Sequence, residues 1–306
     1  MIPKFINSAS DLKTSHQYTV SGFLEQAKRK ILEANQYIDE AKEIRNKIQD
    51  IDNLKSLKTH LDENPEDLLA IATSVGFSDK SIGHLNKNEL KHAVLEALNS
   101  LYGSNVQNLS EEITYRYLLT RGDSLGGKMR NLVGRVAADK FIDILFSELK
   151  ERDIEYDYKL TSTNKINRIF WDNKVLFFDV TPKFIGNNID LILVKSNKPI
   201  SSPNREVEKL KHDSNSFLAC GELKGGIDPA GADEHWKTAR SAFERIRKSF
   251  NDLKIDIPHL FFVGYAIENS MASEIFNQLK SGRLSHATNL FHDDQSKDIV
   301  KWLSKL

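Results

Sequence analysis

Apolar residues in the first half of the chain recur at the spacing that amphipathic helices require. Between Leu24 and Ile48 they stand three or four positions apart, which predicts a long helix with one apolar stripe and Ser21 as its N-cap. Shorter helices are expected over residues 65–75, 87–101, 111–119 and 126–149. The stripe of the long helix either packs on its own domain or forms a coiled coil with a second chain.

The pattern changes near Asp153, where short apolar runs start to alternate with turns and helices. Strands are expected over residues 169–172, 175–180, 188–195, 217–224 and 260–266, with helices over 233–251 and 271–279. Strands joined by helices predict an α/β domain with a mixed sheet. We therefore expect a helical region over residues 1–110 and an α/β core over residues 111–306.

Composition narrows the function classes without choosing one. Lys and Arg number 43, as do Asp and Glu, so the formal net charge is zero and a chain-wide polycation is excluded. A local basic face is still able to meet nucleic acid. The single cysteine, Cys220, rules out a disulfide framework and a cysteine-rich zinc site. Because no apolar run resembles a signal peptide or a membrane span, we expect a soluble, cytoplasmic protein with no membrane partner.

Three ionisable residues stand in two of the predicted strands. Glu222 and Lys224 are two positions apart, so their side chains share one face of a strand. Asp190 interrupts an otherwise apolar strand, where a charge is costly unless something pairs with it. If the two strands are neighbours, the three side chains converge. Two close carboxylates favour a hard cation such as Mg²⁺, for which the backbone carbonyl of Leu223 offers another oxygen ligand.

This set matches the Asp…Glu-x-Lys core of metal-dependent nucleases, but alternatives remain. A glutamate and a lysine at this spacing also occur by chance in surface strands, where they form a structural salt bridge. Asp179 is a rival for the first acid, and Ile189 stands where a proline usually precedes that acid. Gly225 and Gly226 favour a functional site, because glycines let a backbone approach a ligand closely.

The segment after this strand carries further candidates. Asp228 precedes Pro229, which holds it extended, and His235 is expected in the first turn of the next helix. A lone histidine is commonly structural, since one imidazole makes no metal site. The helix carries an excess of cations, among them Lys237 and Arg240. These cations form either a solvated face or a surface that contacts phosphates.

Residues 122–128 have the Gly-x-x-x-x-Gly-Lys spacing of a nucleotide-binding P-loop but lack its last residue. Met129 stands where a serine or threonine would have to meet magnesium, and the preceding segment is helical rather than extended. DNA contact is favoured over ATP binding, through Lys128, Arg130, Asn131 and the amides at the start of the expected helix.

Four blocks of sequence carry a resemblance to a known family. The longest is the uninterrupted run from Gly221 to Ala239, and a short block lies at residues 78–80. The others combine residues 115–119 with 122–131 and residues 266–272 with 278–282. With these blocks the chain resembles the AvaI/BsoBI family of type II restriction endonucleases from about residue 78 to its C-terminus. The resemblance implies a restriction-endonuclease-like mixed β-sheet core flanked by helices, with an N-terminal helical domain.

The resemblance also implies roles for the candidate residues. Asp190, Glu222 and Lys224 would form the metal and catalytic core with Mg²⁺, and His235 would position or deprotonate the attacking water. Lys80 and Asp228 would reach base edges. The other expected DNA contacts are Asp123, Ser124, Lys128, Arg130, Asn131, Lys237 and Arg240.

The same resemblance implies a homodimer that encloses double-stranded DNA, with the helical region contributing to enclosure and dimer contacts. Its expected site is the palindrome CYCGRG, cut after the first C to leave a four-base 5′ overhang. A dimer suits a palindrome because both have two-fold symmetry. A cognate DNA methyltransferase is expected in the same system, without a stable complex. The alternatives are a structure-selective or repair nuclease with the same core, and a non-catalytic DNA-binding module.

Overall fold

The structure, a computed structural model, describes residues 2–102, 108–196, 205–227 and 229–306. Contacts divide the chain into a sheet unit, Met1–Phe23 with Leu132–Leu306, and a helical unit, Leu24–Asn131. The helices in the described ranges are α1 (His16–Lys47), α2 (Leu54–Glu63), α3 (Leu68–Ser74), α4 (Asp79–Ile82), α5 (Lys87–Tyr102), α6 (Leu109–Glu151), α7 (Arg205–Leu210), α8 (Pro229–Asp252), α9 (Asn269–Lys280) and α10 (Asp293–Lys305).

The sheet follows the chain order of its strands. Within the described residues they are β1 (Tyr156–Leu160), β2 (Ile166–Trp171), β3 (Lys174–Val180), β4 (Ile189–Lys195), β5 (Phe217–Lys224), β6 (His259–Gly264) and β7 (His286–Asn289). Strands β1 to β5 pair antiparallel, whereas β5, β6 and β7 pair parallel. The parallel part follows from α8 and α9, which carry the chain back between successive strands. The predicted α/β class with a mixed sheet is confirmed.

Helices cover both faces of the sheet. On β4, Ile192 belongs to one buried cluster with Phe243 of α8, whereas Leu191 belongs to the other with Phe141 of α6. This alternation follows from the two-residue period of a strand. Cys220 of β5 belongs to the same cluster as Ile192 of β4, so these two residues lie on the sheet face that packs against α8. Asp190 and Glu222 stand two positions from these residues and therefore share that face.

The long first helix differs from its prediction in start and burial. Helix α1 begins at His16, so Ser21 is an interior residue and not an N-cap. Only the end of the apolar stripe, around Ile48, is buried in the core of the helical unit. Leu24 and Ile31 are 56% and 65% exposed, because no described part of the chain packs over them. A coiled coil with a second chain therefore stays a prediction for this half of the stripe.

A single helix, α6, replaces the two helices expected over residues 111–119 and 126–149. Its glycines, among them Gly122 and Gly127, lie in the interior of the helix, where each costs about 1 kcal/mol relative to alanine. Packing outweighs that cost, because Ile113 is buried in the core of the helical unit and Phe141 is buried in the core of the sheet unit. The amides of residues 122–128 are consequently inside a helix, so the expected helix start and its free amides were wrong.

Six elements were missed by the sequence patterns: β1, β7, α2, α4, α7 and α10. Strand β7, His286–Asn289, is polar in composition, yet all four of its residues are buried. Its side chains are accommodated by internal hydrogen bonds, such as Asn289 Nδ2 to the Leu12 carbonyl at 2.9 Å. Such a strand lacks the apolar signal from which strands are predicted.

The first residues of the chain belong to the sheet unit. The Ile267 amide donates to Thr14 Oγ1 at 3.0 Å, which ties this segment to the loop after β6. The compact units thus differ from the expected division at residue 110, because α1 and α6 each continue from one unit into the other. The expected roles in DNA enclosure and dimer contact stay predictions. Among the described residues, no helix has the length and apolar character of a membrane span.

Candidate active site

The structure brings Asp190, Glu222 and Lys224 together. Leu191 of β4 pairs with Gly221 of β5, which sets Asp190 opposite Glu222 in neighbouring strands. The Lys224 ammonium group donates to Asp190 Oδ2 at 2.8 Å and to Glu222 Oε2 at 2.7 Å. The Leu223 amide also donates to Asp190 Oδ2, at 2.9 Å. One lysine therefore bridges two carboxylates on a single face of the sheet.

The charges of this cluster are strongly coupled. Burial raises the pKa of Glu222, and the neighbouring Asp190 carboxylate raises it further. Burial of Lys224 works against its charged form, but Asp190 and Glu222 outweigh that effect and raise the pKa of the ammonium group. Lys224 is thus held as a cation, which neutralises one of the two negative charges.

The donor set fits a divalent cation. Glu222 is only 3% exposed, and its Oε1 atom has no hydrogen-bond partner among the described residues. Burying a carboxylate oxygen without a partner costs folding free energy, and a hard cation is a partner that such an oxygen binds well. Within the described ranges, no three Asp, Glu, His or Cys side chains are close enough to hold a metal by themselves. Asp190 and Glu222 would thus share the metal with backbone, water or substrate oxygens.

The rival first acid, Asp179, lies across the ladder from Asp190. Phe178 pairs with Leu191 and Val180 with Ile189, so Asp179 stands opposite Asp190. Its φ of 53° lies in the left-handed region, which is uncommon for a residue other than glycine. Burial and the Asp190 carboxylate raise the pKa of Asp179. The bonds from Leu223 and Lys224 go to Asp190, and this geometry favours Asp190 as the first acid.

His235 lies against the backbone that follows Lys224. A Cβ atom on Gly226 would stand only 2.5 Å from His235 Nε2, so the imidazole occupies the space that glycine leaves. Helix α8 begins at Pro229, earlier than expected, so His235 lies in its second turn and not its first. The structure therefore places this histidine beside Gly226, two residues beyond Lys224 at the end of β5.

The sequence of the whole chain has known relatives. A family model described as "Restriction endonuclease BsobI" matches residues 3–174 and 166–306. The chain belongs to this restriction endonuclease family. Two curated relatives, each named "Type II restriction enzyme AvaI", come from Nostoc sp. and Anabaena variabilis, and each is 35% identical over 320 aligned residues that cover 98% of both chains. "Type II restriction enzyme BsoBI" of Geobacillus stearothermophilus is 31% identical over 328 residues, 97% of this chain and 96% of the relative.

Membership in this family confirms the resemblance inferred from the four sequence blocks. The protein is a type II restriction endonuclease, a hydrolase that cleaves DNA. Enzymes of this class generally require a divalent metal, in agreement with the Glu222 oxygen that has no hydrogen-bond partner in the described part of the chain. The two alternatives, a repair nuclease and a non-catalytic binding module, lose their support.

The residues expected to contact DNA are divided between the sheet unit and the helical unit. In the sheet unit, Lys237 pairs with Glu234 at 3.1 Å and Arg240 pairs with Glu274 at 3.0 Å. In the helical unit, Lys80 is exposed on α4, and Asp123 and Ser124 are exposed on α6. Lys128 of α6 pairs with Glu33 at 2.5 Å. Asp228 and the side chains of Arg130 and Asn131 lie outside the described part of the chain.

One glycine that supports the site was missed by the sequence patterns. Ile227, in the loop between β5 and α8, is 7% exposed and packs against α1 at Gly22. A Cβ atom on Gly22 would stand 2.1 Å from Ile227 Cγ1, so only glycine permits this contact. The available signal was a lone glycine in a helical pattern, which usually has a packing reason. Gly22 thus lets Ile227, in the loop between β5 and α8, pack against α1.

We predict opposite effects for two Gly→Ala changes in helices of the sheet unit. Gly22→Ala should lower the free energy of unfolding by about 1–3 kcal/mol, because it overpacks the contact with Ile227. Gly134→Ala is the matched control, since no described atom beyond its chain neighbours and its own helix backbone lies within 4 Å of the added Cβ. This control should raise the free energy by about 0.4–1 kcal/mol. Denaturant unfolding measures both, and equal responses at the two positions would contradict the packing argument.

Proposed function

We propose that the protein is a homodimeric, Mg²⁺-dependent endonuclease that hydrolyses phosphodiester bonds of double-stranded DNA at a palindromic site. One observation carries the assignment of the site: Lys224 bridges Asp190 and the buried Glu222, whose Oε1 atom has no partner among the described residues. Family membership supports the reaction class.

In this proposal, Asp190, Glu222 and the Leu223 carbonyl would hold the Mg²⁺ ion. The cation would supply positive charge at the scissile phosphate and acidify a water. Lys224 keeps the two carboxylates in a fixed orientation and adds a second positive charge near the phosphate. His235, positioned on the Gly226 backbone, accepts a proton from the attacking water at an imidazole nitrogen.

The proposed DNA contacts combine base recognition with phosphate contacts. Lys80 and Asp228 reach base edges in the proposed site CYCGRG, and the remaining candidates in both units hold the DNA in register. Ion-paired cations such as Lys128 and Arg240 exchange a carboxylate partner for a phosphate when DNA binds. This exchange keeps the electrostatic contribution to binding modest, which favours release from non-specific DNA.

The dimer is supported by symmetry and by exposed apolar surface. A palindrome is a two-fold object, and two strands require two active sites. Leu24, Ile31 and Ile38 on α1 are 56%, 65% and 41% exposed in the single chain, as expected of side chains that a second copy covers. A separate DNA methyltransferase protects the host genome and forms no stable complex with the nuclease.

Loss of either catalytic charge should abolish cleavage. We expect Glu222→Ala and Lys224→Ala to remove detectable product in Mg²⁺, because each destroys the bridged cluster. Both variants should retain specific DNA binding in Ca²⁺, measured by fluorescence anisotropy. Substantial Mg²⁺-dependent cleavage by either variant would contradict the assignment of Glu222 and Lys224 to the active site.

Asp190 and Asp179 serve as a matched pair for the first acid. Asp190→Asn should abolish cleavage, whereas Asp179→Asn should retain at least a tenth of the wild-type rate. Asparagine is chosen because it tolerates the left-handed backbone at residue 179. The reverse order of the two rates would make Asp179 the first acid.

His235→Ala should lower the cleavage rate at saturating DNA by about 100-fold or more, the usual scale of a lost general base. The thermal unfolding midpoint should stay close to wild type, since the histidine is only partly buried. Single-turnover kinetics measure the rate and calorimetry measures the midpoint. Wild-type turnover would assign His235 a structural role instead.

The recognition site can be read directly from the products. We expect digestion of a plasmid of known sequence, followed by sequencing of the ends, to give breaks only at CYCGRG with four-base 5′ overhangs. Ends at another palindrome would refute the proposed site but keep the enzyme class. Ends without any shared sequence would contradict site-specific cleavage.

A further inference from the structure

A chain of polar side chains crosses the helical unit and ends beside Lys80. The Tyr117 hydroxyl of α6 donates to Glu40 of α1, and Arg121 Nε donates to the same hydroxyl at 3.2 Å. Arg121 Nη1 in turn donates to both carboxylate oxygens of Asp79, at 2.9 and 3.1 Å. Asp79 is the first residue of α4 and directly precedes Lys80. These bonds therefore connect α1 and α6 to the short helix that carries Lys80.

Arg121 is held far more firmly than a typical surface arginine. Its side chain is 19% exposed, and its guanidinium group lies 5.4 Å from the centre of the Tyr117 ring and 5.7 Å from that of Tyr37. Tyr117 is itself 2% exposed. An exposed ion pair usually contributes little, because both side chains must be ordered to form it. Here the arginine is ordered in advance by two rings and a hydrogen bond, so Asp79 meets a fixed partner.

The short helix that Arg121 holds depends on its neighbours for its position. Helix α4 has four residues, too few to be stable alone. At its C-terminal end Ile82 packs against the core of the helical unit, and at its N-terminal end the Ser78 cap, which accepts from the Ser81 amide at 3.1 Å, is a local bond. The Arg121–Asp79 pair ties that N-terminal end to α6. On α6, Asp123 follows Arg121 by two positions and is exposed. Arg121 thus links two segments that both carry proposed DNA contacts.

We propose that Arg121 is a specificity-determining positioning residue, which grips Asp79 and so fixes where Lys80 stands relative to Asp123. The inference rests on the proposed function, in which Lys80 contacts a base edge. A base contact discriminates between base pairs only if its side chain is placed within a fraction of an ångström. Freed from Arg121, α4 still carries Lys80, but the lysine samples several positions and loses its preference for one base pair.

The test uses two variants that change the local charge in opposite directions. Arg121→Gln removes a positive charge and Asp79→Asn removes a negative one, yet both break the same contact. We measure kcat/KM for the mapped site and for sites with one altered base pair. Each variant should lower the ratio of these values about tenfold, the scale of one lost base contact, with kcat at saturating DNA within twofold of wild type. Binding to unrelated DNA should weaken for Arg121→Gln and strengthen for Asp79→Asn.

Arg45→Gln is the matched control. Arg45 of α1 pairs with Glu111 of α6 at 3.4 Å, so it too joins two helices of the helical unit, but its side chain is 57% exposed. Its discrimination ratio should stay at the wild-type value. Ratios for Arg121→Gln and Asp79→Asn that match this control, or that move in opposite directions, would overturn the proposal. Asp79 is 75% exposed, so Asp79→Asn decides the question if Arg121→Gln does not fold.

A double variant shows whether the effect passes through Lys80. In a Lys80→Ala background, Asp79→Asn should cause no further loss of discrimination, because the positioned side chain is already absent. A full additional loss would overturn the proposal. If Lys80→Ala alone lowers discrimination while Asp79→Asn and Arg121→Gln do not, only the positioning role of Arg121 fails. If the wild-type protein shows no sequence preference, the proposed function fails as well.

Discussion

Repulsion between two carboxylates on a buried sheet face is the constraint on which the candidate active site depends. Asp190 and Glu222 are brought opposite each other by the register of β4 and β5, and Lys224 neutralises only one of their charges. The remaining charge and the Glu222 oxygen, which no described residue partners, are unfavourable for folding. A core that accepts such a cost is expected where a cation and a phosphate complete the charge balance.

The surrounding fold keeps this unfavourable cluster in place. Large buried side chains from α8 and α9 cover the face of the sheet that carries the carboxylates. At the end of β5, Gly226 leaves room for His235, and Gly22 lets the loop at Ile227 rest on α1. Asp179, with its left-handed backbone, stands opposite Asp190 in the neighbouring strand β3. Backbone strain and charge are concentrated together, as is common at functional sites.

The zero net charge of the chain has a structural counterpart. Several cations proposed to meet DNA are already paired with acids, including Lys128 with Glu33 and Arg240 with Glu274. An enzyme built in this way relies on geometry as much as on bulk attraction to a polyanion. The proposed positioning of α4 by Arg121 also relies on geometry, because a side chain held in one place discriminates between bases better than a mobile one.

Sequence alone determined the reaction class, the mixed α/β architecture and the Glu222–Lys224 pair of the bridged cluster. Alternation places Glu222 and Lys224 on one strand face, and a long run of matching residues identifies the family. Tertiary structure alone decided that Asp190 is the acid facing Lys224, that α6 continues through its glycines, and that buried polar residues form β7. The reason is that register, helix continuity and polar burial depend on partners far along the chain, which local patterns do not contain.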